Sequence, residues 1–299
     1  MTENKCLCDI EDPNAIITPI DTAIRFPEIL AILLKKYSDD IALFSKLIVE
    51  SQSSDELLDK IRSKGVNKDQ RMSLLKMFRR CVSPVLDTET TKKIEKVSTA
   101  SLIENYGSTF KPIEILKEQF ANLSNETKGA LAALIGEYDT RGQLGYDLTA
   151  NFFDWFNGRF KGDLTIDGPR GAGRDIELNT IFHDFEGQYP CDFVIRKADT
   201  SEVLAVGFAR YDSTRGGAQS DDRTGGNSYK VAKAKEYCDK TGDILRLVFL
   251  ADGPGLAHKD TWFEACELDG AWNGNVRVTT LKLADVRITR NWLIRAASD

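Results

Sequence analysis

Apolar positions recur at helical spacing through the first half of the chain and at strand spacing through much of the second. After Phe26 and Pro27, the residues Ile29, Leu30, Leu33 and Leu34 fall on one face, which predicts an amphipathic helix behind a first-turn proline. A second helical run covers 39–52. Ser54-Asp55 caps a third run that stops at Gly65. Lys68 to Val82 predicts another helix, with Pro84 beyond its end, and Ile113 to Leu123 and Thr127 to Tyr138 predict two more. Residues 86–110 are charged and less clearly patterned. The first 20, with Pro13 and Pro19, read as an irregular arm. Residues 20–140 are therefore expected to be all-helical.

The pattern changes near Gly142. Gly145 to Phe160 predicts a helix with Leu148, Phe152, Trp155 and Phe156 turned inward, and Asp147 and Asp154 on one face. Asp175 to Leu178 reads as a short strand. Two apolar runs, Phe193–Ile195 and Val203–Val206, flank the polar tetrad Ala198-Asp199-Thr200-Ser201, which predicts a β-hairpin opening on Asp192. Ser228 to Thr241 predicts a helix with lysines on its exposed side. Ile244 to Leu250 is a strongly apolar strand, 261–268 a helix and 276–283 a strand. The expected fold class is α/β (α+β), a mixed β-sheet flanked by helices over 142–299, after an all-helical region over 1–141.

Composition narrows the chemistry. At 299 residues, 41% hydrophobic and 29% charged, the chain is expected to be a soluble globular protein of one large domain or two ordinary ones. No apolar run is long enough to span a bilayer, so no membrane partner is expected. Residues 1–14 are polar and acidic, unlike a secretory leader, and the six cysteines form no CxxC pair. Both features predict a cytoplasmic protein with reduced thiols. The net charge of −6 argues against a general nucleic-acid coat but not against a site-specific enzyme with a local basic face. Only two histidines, His183 and His258, are present, which disfavours histidine-rich zinc sites, and no G-x-S-x-G elbow occurs.

Residues 168–173, GPRGAG, form neither a Walker A motif nor a dinucleotide fingerprint, since no Gly-Lys-Ser/Thr follows and a strand comes next. No nucleotide cofactor is expected. The segment reads as a surface loop whose Arg170 and Arg174 can meet a phosphate. The stretch Ser213 to Asn227 is expected to be a loop dense in Arg, Gln, Asp and Gly. Its Arg215, Gln219, Arg223 and Asn227 are side chains of the kind that bind base edges in the major groove. Arg79-Arg80 reads as a solvated helix face, and Arg287, Arg290 and Arg295 as the surroundings of a packed Trp292.

Helix, three strands, helix and strand in that order, with Asp192 shortly after Pro190, resembles the PD-(D/E)xK nuclease core of many type II restriction endonucleases. The resemblance covers roughly residues 142–255. It implies Mg²⁺ as cofactor, double-stranded DNA as substrate and a homodimer matching a palindromic site. It also implies an acid on the first helix, here Asp147 or Asp154, and a metal-binding Asp192. The expected acid-x-Lys is absent. A tight turn pairs Asp192 with Gly207, whereas a one-residue bulge puts Phe208-Ala209-Arg210 in its place. Arg210 then stands where the lysine stands, as a clamp rather than a base. Phosphodiester cleavage needs oxygen ligands for a hard cation and positive charge at the phosphate. Asp192 with Glu177, Asp212, Asp221 or Asp222 can supply the first, and Arg210 with Arg174 the second. The expectation is a Mg²⁺-dependent site-specific endonuclease. Its rivals are a non-catalytic DNA-binding protein on a degenerate nuclease fold and an unrelated phosphate-ester hydrolase.

Overall fold

The computed structural model describes residues 6–137, 139, 142–214 and 219–295. The chain forms two compact units. Ala23–Arg141 makes one, and Gly142–Asp299 together with Met1–Thr22 makes the other. The two units divide between Arg141 and Gly142. The arm at the start of the chain belongs with the sheet unit and not with the helices that follow it.

The helical unit contains α1 (Glu28–Glu50), α2 (Ser54–Arg62), α3 (Lys68–Cys81), α4 (Thr88–Thr91), α5 (Thr99–Tyr106), α6 (Ile113–Phe120) and α7 (Asn125–Gly136). The first two predicted helices are one. Ser38-Asp39-Asp40 contains no glycine or proline to break the ladder, and Leu33, Tyr37, Ile41, Phe44 and Ile48 form one buried stripe across it. Ser53, one residue earlier than expected, caps α2 by accepting from the Glu56 N–H at 3.1 Å.

In the sheet unit, α8 (Gln143–Arg159) leads into β1 (Leu164–Asp167). Next come β2 (Ile176–Glu177), β3 (Pro190–Cys191), β4 (Phe193–Lys197) and β5 (Val203–Tyr211). Then follow α9 (Gln219–Thr241), β6 (Arg246–Asp252), α10 (Lys259–Leu268) and β7 (Val276–Thr279). The main sheet has the order β1-β4-β5-β6-β7. Strand β4 runs antiparallel to both β1 and β5, and β5, β6 and β7 are mutually parallel. The strand predicted at 175–178 is not part of this sheet. It pairs as β2 with β3 in a separate ribbon, and β1, four residues alternating buried and exposed, takes its place.

Side chains alternate between two cores. Val194, Val206, Phe208, Leu247 and Phe249 face one way, with Ala234, Tyr237 and Cys238 of α9. Phe193, Ile195, Ala205, Val248 and Leu250 face the other, with Leu148, Phe152 and Phe156 of α8 and with Trp292. Both faces of β6 are covered, so 245–250 is buried without a break, as expected of a central parallel strand. Trp292 packs as predicted, donating from Nε1 to the Gly274 carbonyl at 2.8 Å.

The hairpin turn falls at Ala198–Ser201, where the Lys197 N–H donates to the Glu202 carbonyl at 2.9 Å. A bulge then shifts the register: Ile195 pairs with Ala205, but Arg196 pairs with Val203. Phe193 consequently faces Gly207, whose carbonyl also accepts from the Asp192 N–H at 2.9 Å. Over Phe193–Ile195 the ladder keeps the bulged register, and Asp192 lies just before it. Gly207 is required here, because a Cβ would lie 1.9 Å from the Phe193 ring.

Candidate functional site

Strand β4 starts, and the parallel strands β5 and β6 end, on the same edge of the sheet. In open α/β sheets the carboxyl ends of parallel strands, where helices diverge, are where ligands bind. A cavity of about 450 Å³ lies here between α9 and α10. Asp192, Arg210, Asp212, Asn227 and Lys230 line it, over the stacked rings of Phe208 and Phe249.

Asp192 is held rigidly. One carboxylate oxygen, Oδ2, accepts from the Ala209 N–H at 2.7 Å, and the Asp192 N–H donates to the Gly207 carbonyl at 2.9 Å. Gly168 backs onto it so closely that a Cβ there would sit 2.2 Å from the Asp192 carbonyl oxygen. That contact gives the glycine-rich segment a role unrelated to phosphate: it lets β4 start where it does. Burial pushes the Asp192 carboxyl above its ordinary value, and the charge of Asp175 pushes it the same way. The Ala209 N–H and the Lys230 ammonium oppose them.

Lys230 is the residue that the sequence reading passed over. The pattern groups it with the exposed lysines of α9, yet it is half-buried. Its Nζ sits 3.7 Å from the centroid of the Phe208 ring. Burial pulls the Lys230 ammonium below its ordinary value, against the stabilising charges of Asp192 and Asp175. The signal was present in the spacing. Lys230, Ala234, Tyr237 and Cys238 stand at i, i+4, i+7 and i+8, so the lysine continues the buried stripe.

Arg210 lies on the same face of β5 as Phe208, and its Nε donates to Asp212 Oδ1 at 2.7 Å. Asp212 is 8% exposed. It therefore meets the site as the partner of Arg210. Cys191, next to Asp192, is no nucleophile: it is buried, its Sγ donates to the Ile176 carbonyl, and burial pushes its thiol up to about 12.

Other predicted site residues are placed elsewhere. Glu177 is turned to its own ribbon, where Oε2 accepts from the Tyr189 N–H at 2.9 Å, and it does not line the cavity. Asp175, two residues earlier and exposed, is the second acid that interacts with Asp192 and Lys230. The helix acids are also occupied away from the cavity. Asp147 accepts from Thr22 Oγ1 and from Gln143 Nε2, and Asp154 pairs with Arg170 at 2.5 Å. Arg170 additionally covers the Phe153 ring, so it is a brace for α8 and not a cavity residue. Arg174 is exposed on the loop before β2.

The expected recognition loop at 213–227 is in large part helix, because α9 already begins at Gln219. Asp221 and Asp222 fall within its bounds. The long run from Ser228 carries the helix across Gly225-Gly226, a pair that costs about 1 kcal/mol per glycine. Arg215 lies outside the described residues, as do the side chains of Gln219, Asp221, Asp222 and Arg223. Asn227 is half-buried and lines the cavity.

Among the described residues no three of His, Cys, Asp and Glu gather as a metal cluster. The two carboxylates, Asp192 and Asp175, are hard oxygen donors. Mg²⁺ keeps several waters and needs only one or two carboxylates from a protein; Asp192 lines the cavity and Asp175 does not. No helix among the described residues is long and apolar enough to cross a membrane. No family model, no curated protein and no solved structure matches this chain.

Proposed function

We propose that the protein is a Mg²⁺-dependent endonuclease that hydrolyses phosphodiester bonds at a specific double-stranded DNA site, as type II restriction enzymes do. The observation that carries this reading is the convergence of Asp192, Lys230 and Arg210 on one cavity at the strand ends. It is supported by the element order from α8 to β6, which repeats the order on which the nuclease resemblance rests once β1 replaces 175–178. Asp192 and Asp175 would hold the metal. When bound, Mg²⁺ supplies a Lewis acid for the phosphate and lowers the pKa of a water.

The chain's own side chains do the rest. Arg210 and Lys230 offset the charge of a phosphate entering the mouth of the cavity. Arg210 stays charged and acts as a clamp. Lys230 is different, because a lysine whose ammonium burial has destabilised gives up a proton from Nζ more readily than a surface lysine. The missing acid-x-Lys is thereby answered from α9 rather than from β5. A palindromic site would be met by two copies of the chain related by a two-fold axis.

Digestion of plasmid DNA with and without Mg²⁺ tests the proposal. Discrete fragments with Mg²⁺, and none in chelator, are the expected result. A mobility shift without cutting would favour a binding protein on a degenerate core, and no interaction with DNA a different phosphate-ester hydrolase.

A further inference from the structure

We propose that Asp212 and Asp252 are positioning residues for Arg210, and that the arm at 6–22 is thereby a working part of the cavity at the strand ends. The proposal rests on the nuclease reading only for what Arg210 holds; the positioning itself is a matter of geometry.

The observations form one continuous chain. The Arg210 Nε donates to Asp212 Oδ1 at 2.7 Å. The Asp212 N–H donates to the Asp252 carbonyl at 2.7 Å, and the Asp212 carbonyl accepts from the Gly255 N–H at 2.7 Å. The Asp252 carboxylate is 0% exposed and has three backbone donors. Thr18 N–H reaches Oδ1 at 2.8 Å, Gly253 N–H reaches Oδ1 at 2.8 Å and Leu281 N–H reaches Oδ2 at 2.9 Å. Thr18 is itself fixed, since its Oγ1 accepts from the Lys282 N–H at 3.2 Å and the Lys282 Nζ donates to the Ala15 carbonyl at 3.0 Å.

Two glycines make room for this arrangement. Gly253 has φ +97°, and a Cβ on it would lie 2.5 Å from the Asp212 carbonyl oxygen. A Cβ on Gly255 would lie 2.8 Å from the Asp212 Cβ. The turn after β6 is therefore shaped around Asp212. A buried carboxylate that grips one face of a partly exposed guanidinium fixes its direction, as a water-facing pair does not. The side chain of Arg210 is 40% exposed and that of Asp212 only 9%, so the anchored end is the dry one. The arm reaches this network from 234 residues away in sequence through Thr18 and Asp252.

Two measurements on the full chain test this. The first is the Arg210 Nε–H signal in ¹⁵N NMR spectra, assigned by its disappearance in Arg210→Lys. In the unaltered protein it is expected to exchange slowly with water. In Asp212→Ala it is expected to exchange at least tenfold faster, and in Thr18→Pro, which removes the arm's donor, to shift. A signal unchanged in Asp212→Ala overturns the proposal, whatever the protein does to DNA.

The second is a double-mutant cycle on cleavage at saturating DNA and Mg²⁺. Arg210→Gln and Asp212→Ala are each expected to lower turnover tenfold or more, and the double variant no further. Independent, multiplying losses would mean that Asp212 acts structurally and would overturn the positioning role. Slow Nε–H exchange lost in Asp212→Ala, in a protein that cuts no DNA, would leave the positioning chain standing and remove the nuclease reading alone.

Discussion

Arg62 in the helical unit and Lys230 in the sheet unit are both cations drawn out of water, and burial pulls both below their ordinary values. Their surroundings differ. Arg62 spends its donors on neutral neighbours: Nε to the Thr91 carbonyl at 3.0 Å, Nη1 to Thr99 Oγ1 at 2.7 Å and Nη2 to the Val97 carbonyl. It staples the end of α2 to the segment around α4 and α5. Lys230 instead lies over an aromatic ring, with two carboxylates acting on it, at the wall of a cavity. Burial of charge alone therefore does not mark a site. Charges of both signs that converge on accessible space do, because their mutual interaction can be exchanged for one with a ligand.

The largest effect expected from this contrast is on activity. Asp192→Asn should lower cleavage by at least about a hundredfold, the scale of losing one charged group aimed at the reacting centre. The variant should still fold and still shift DNA, and Asp199→Asn, on the exposed turn at the other end of the hairpin, should cut normally. Stability follows a definite sign. A carboxyl whose native value is raised above 3.8 binds its proton more tightly in the folded state. Its ionisation therefore lowers stability as the pH rises from 3.8 towards the raised native value. Melting curves from pH 3 to 7 should show Asp192→Asn gaining on the unaltered protein through that window. A loss of melting temperature at neutral pH would show that the Asp192 charge is a structural tie like Arg62.

Arg62→Leu should show the opposite profile. Leaving its carbonyl and hydroxyl partners without a donor should cost about 2–4 kcal/mol in denaturant unfolding. Cleavage per folded molecule should be unchanged. A selective loss of cleavage would break the distinction between the two units.

Gly207→Ala probes the register at the start of β4, where Phe193 faces Gly207. Its Cβ would meet the Phe193 ring, so β4 and β5 must separate, at about 1–3 kcal/mol. The smallest effect is expected from Arg170→Ala. Its pair with Asp154 has side chains 46% and 69% exposed, and the change in unfolding free energy should stay below about 1 kcal/mol.

Much of this architecture was legible in the sequence because periodicity reports which face is buried. The hairpin around Ala198–Ser201, the apolar β6 and the amphipathic α3 and α8 all follow from it. The parts that were not legible have identifiable physical causes. Strand β1 is only four residues long, and its alternation of Leu164 and Ile166 with polar residues is no stronger a signal than that of Asp175–Leu178. The arm has no local pattern because its ties run to Asp252, Asp269 and Lys282, more than 200 residues away. In the site itself, Asp192 and Arg210 were visible as a strand end and a bulged register. Lys230 was missed because a lysine among lysines reads as solvated, although its phase with Ala234 and Tyr237 set it apart. Nothing in the sequence near Glu177 signals that the Tyr189 N–H claims its carboxylate.

In the proposed function, DNA cleavage depends on the carboxylate of Asp192, at the start of β4, and the ammonium of Lys230 on α9. The most direct test is the rate of plasmid cleavage with Mg²⁺ by the unaltered protein, Asp192→Asn and Lys230→Met, each shown to melt cooperatively above the assay temperature. The expected result is discrete fragments from the unaltered protein and almost none from either variant. Cleavage by Lys230→Met at near the unaltered rate, while Asp192→Asn is inactive, would contradict the role given to α9. Near-normal cleavage by both would place the active site elsewhere.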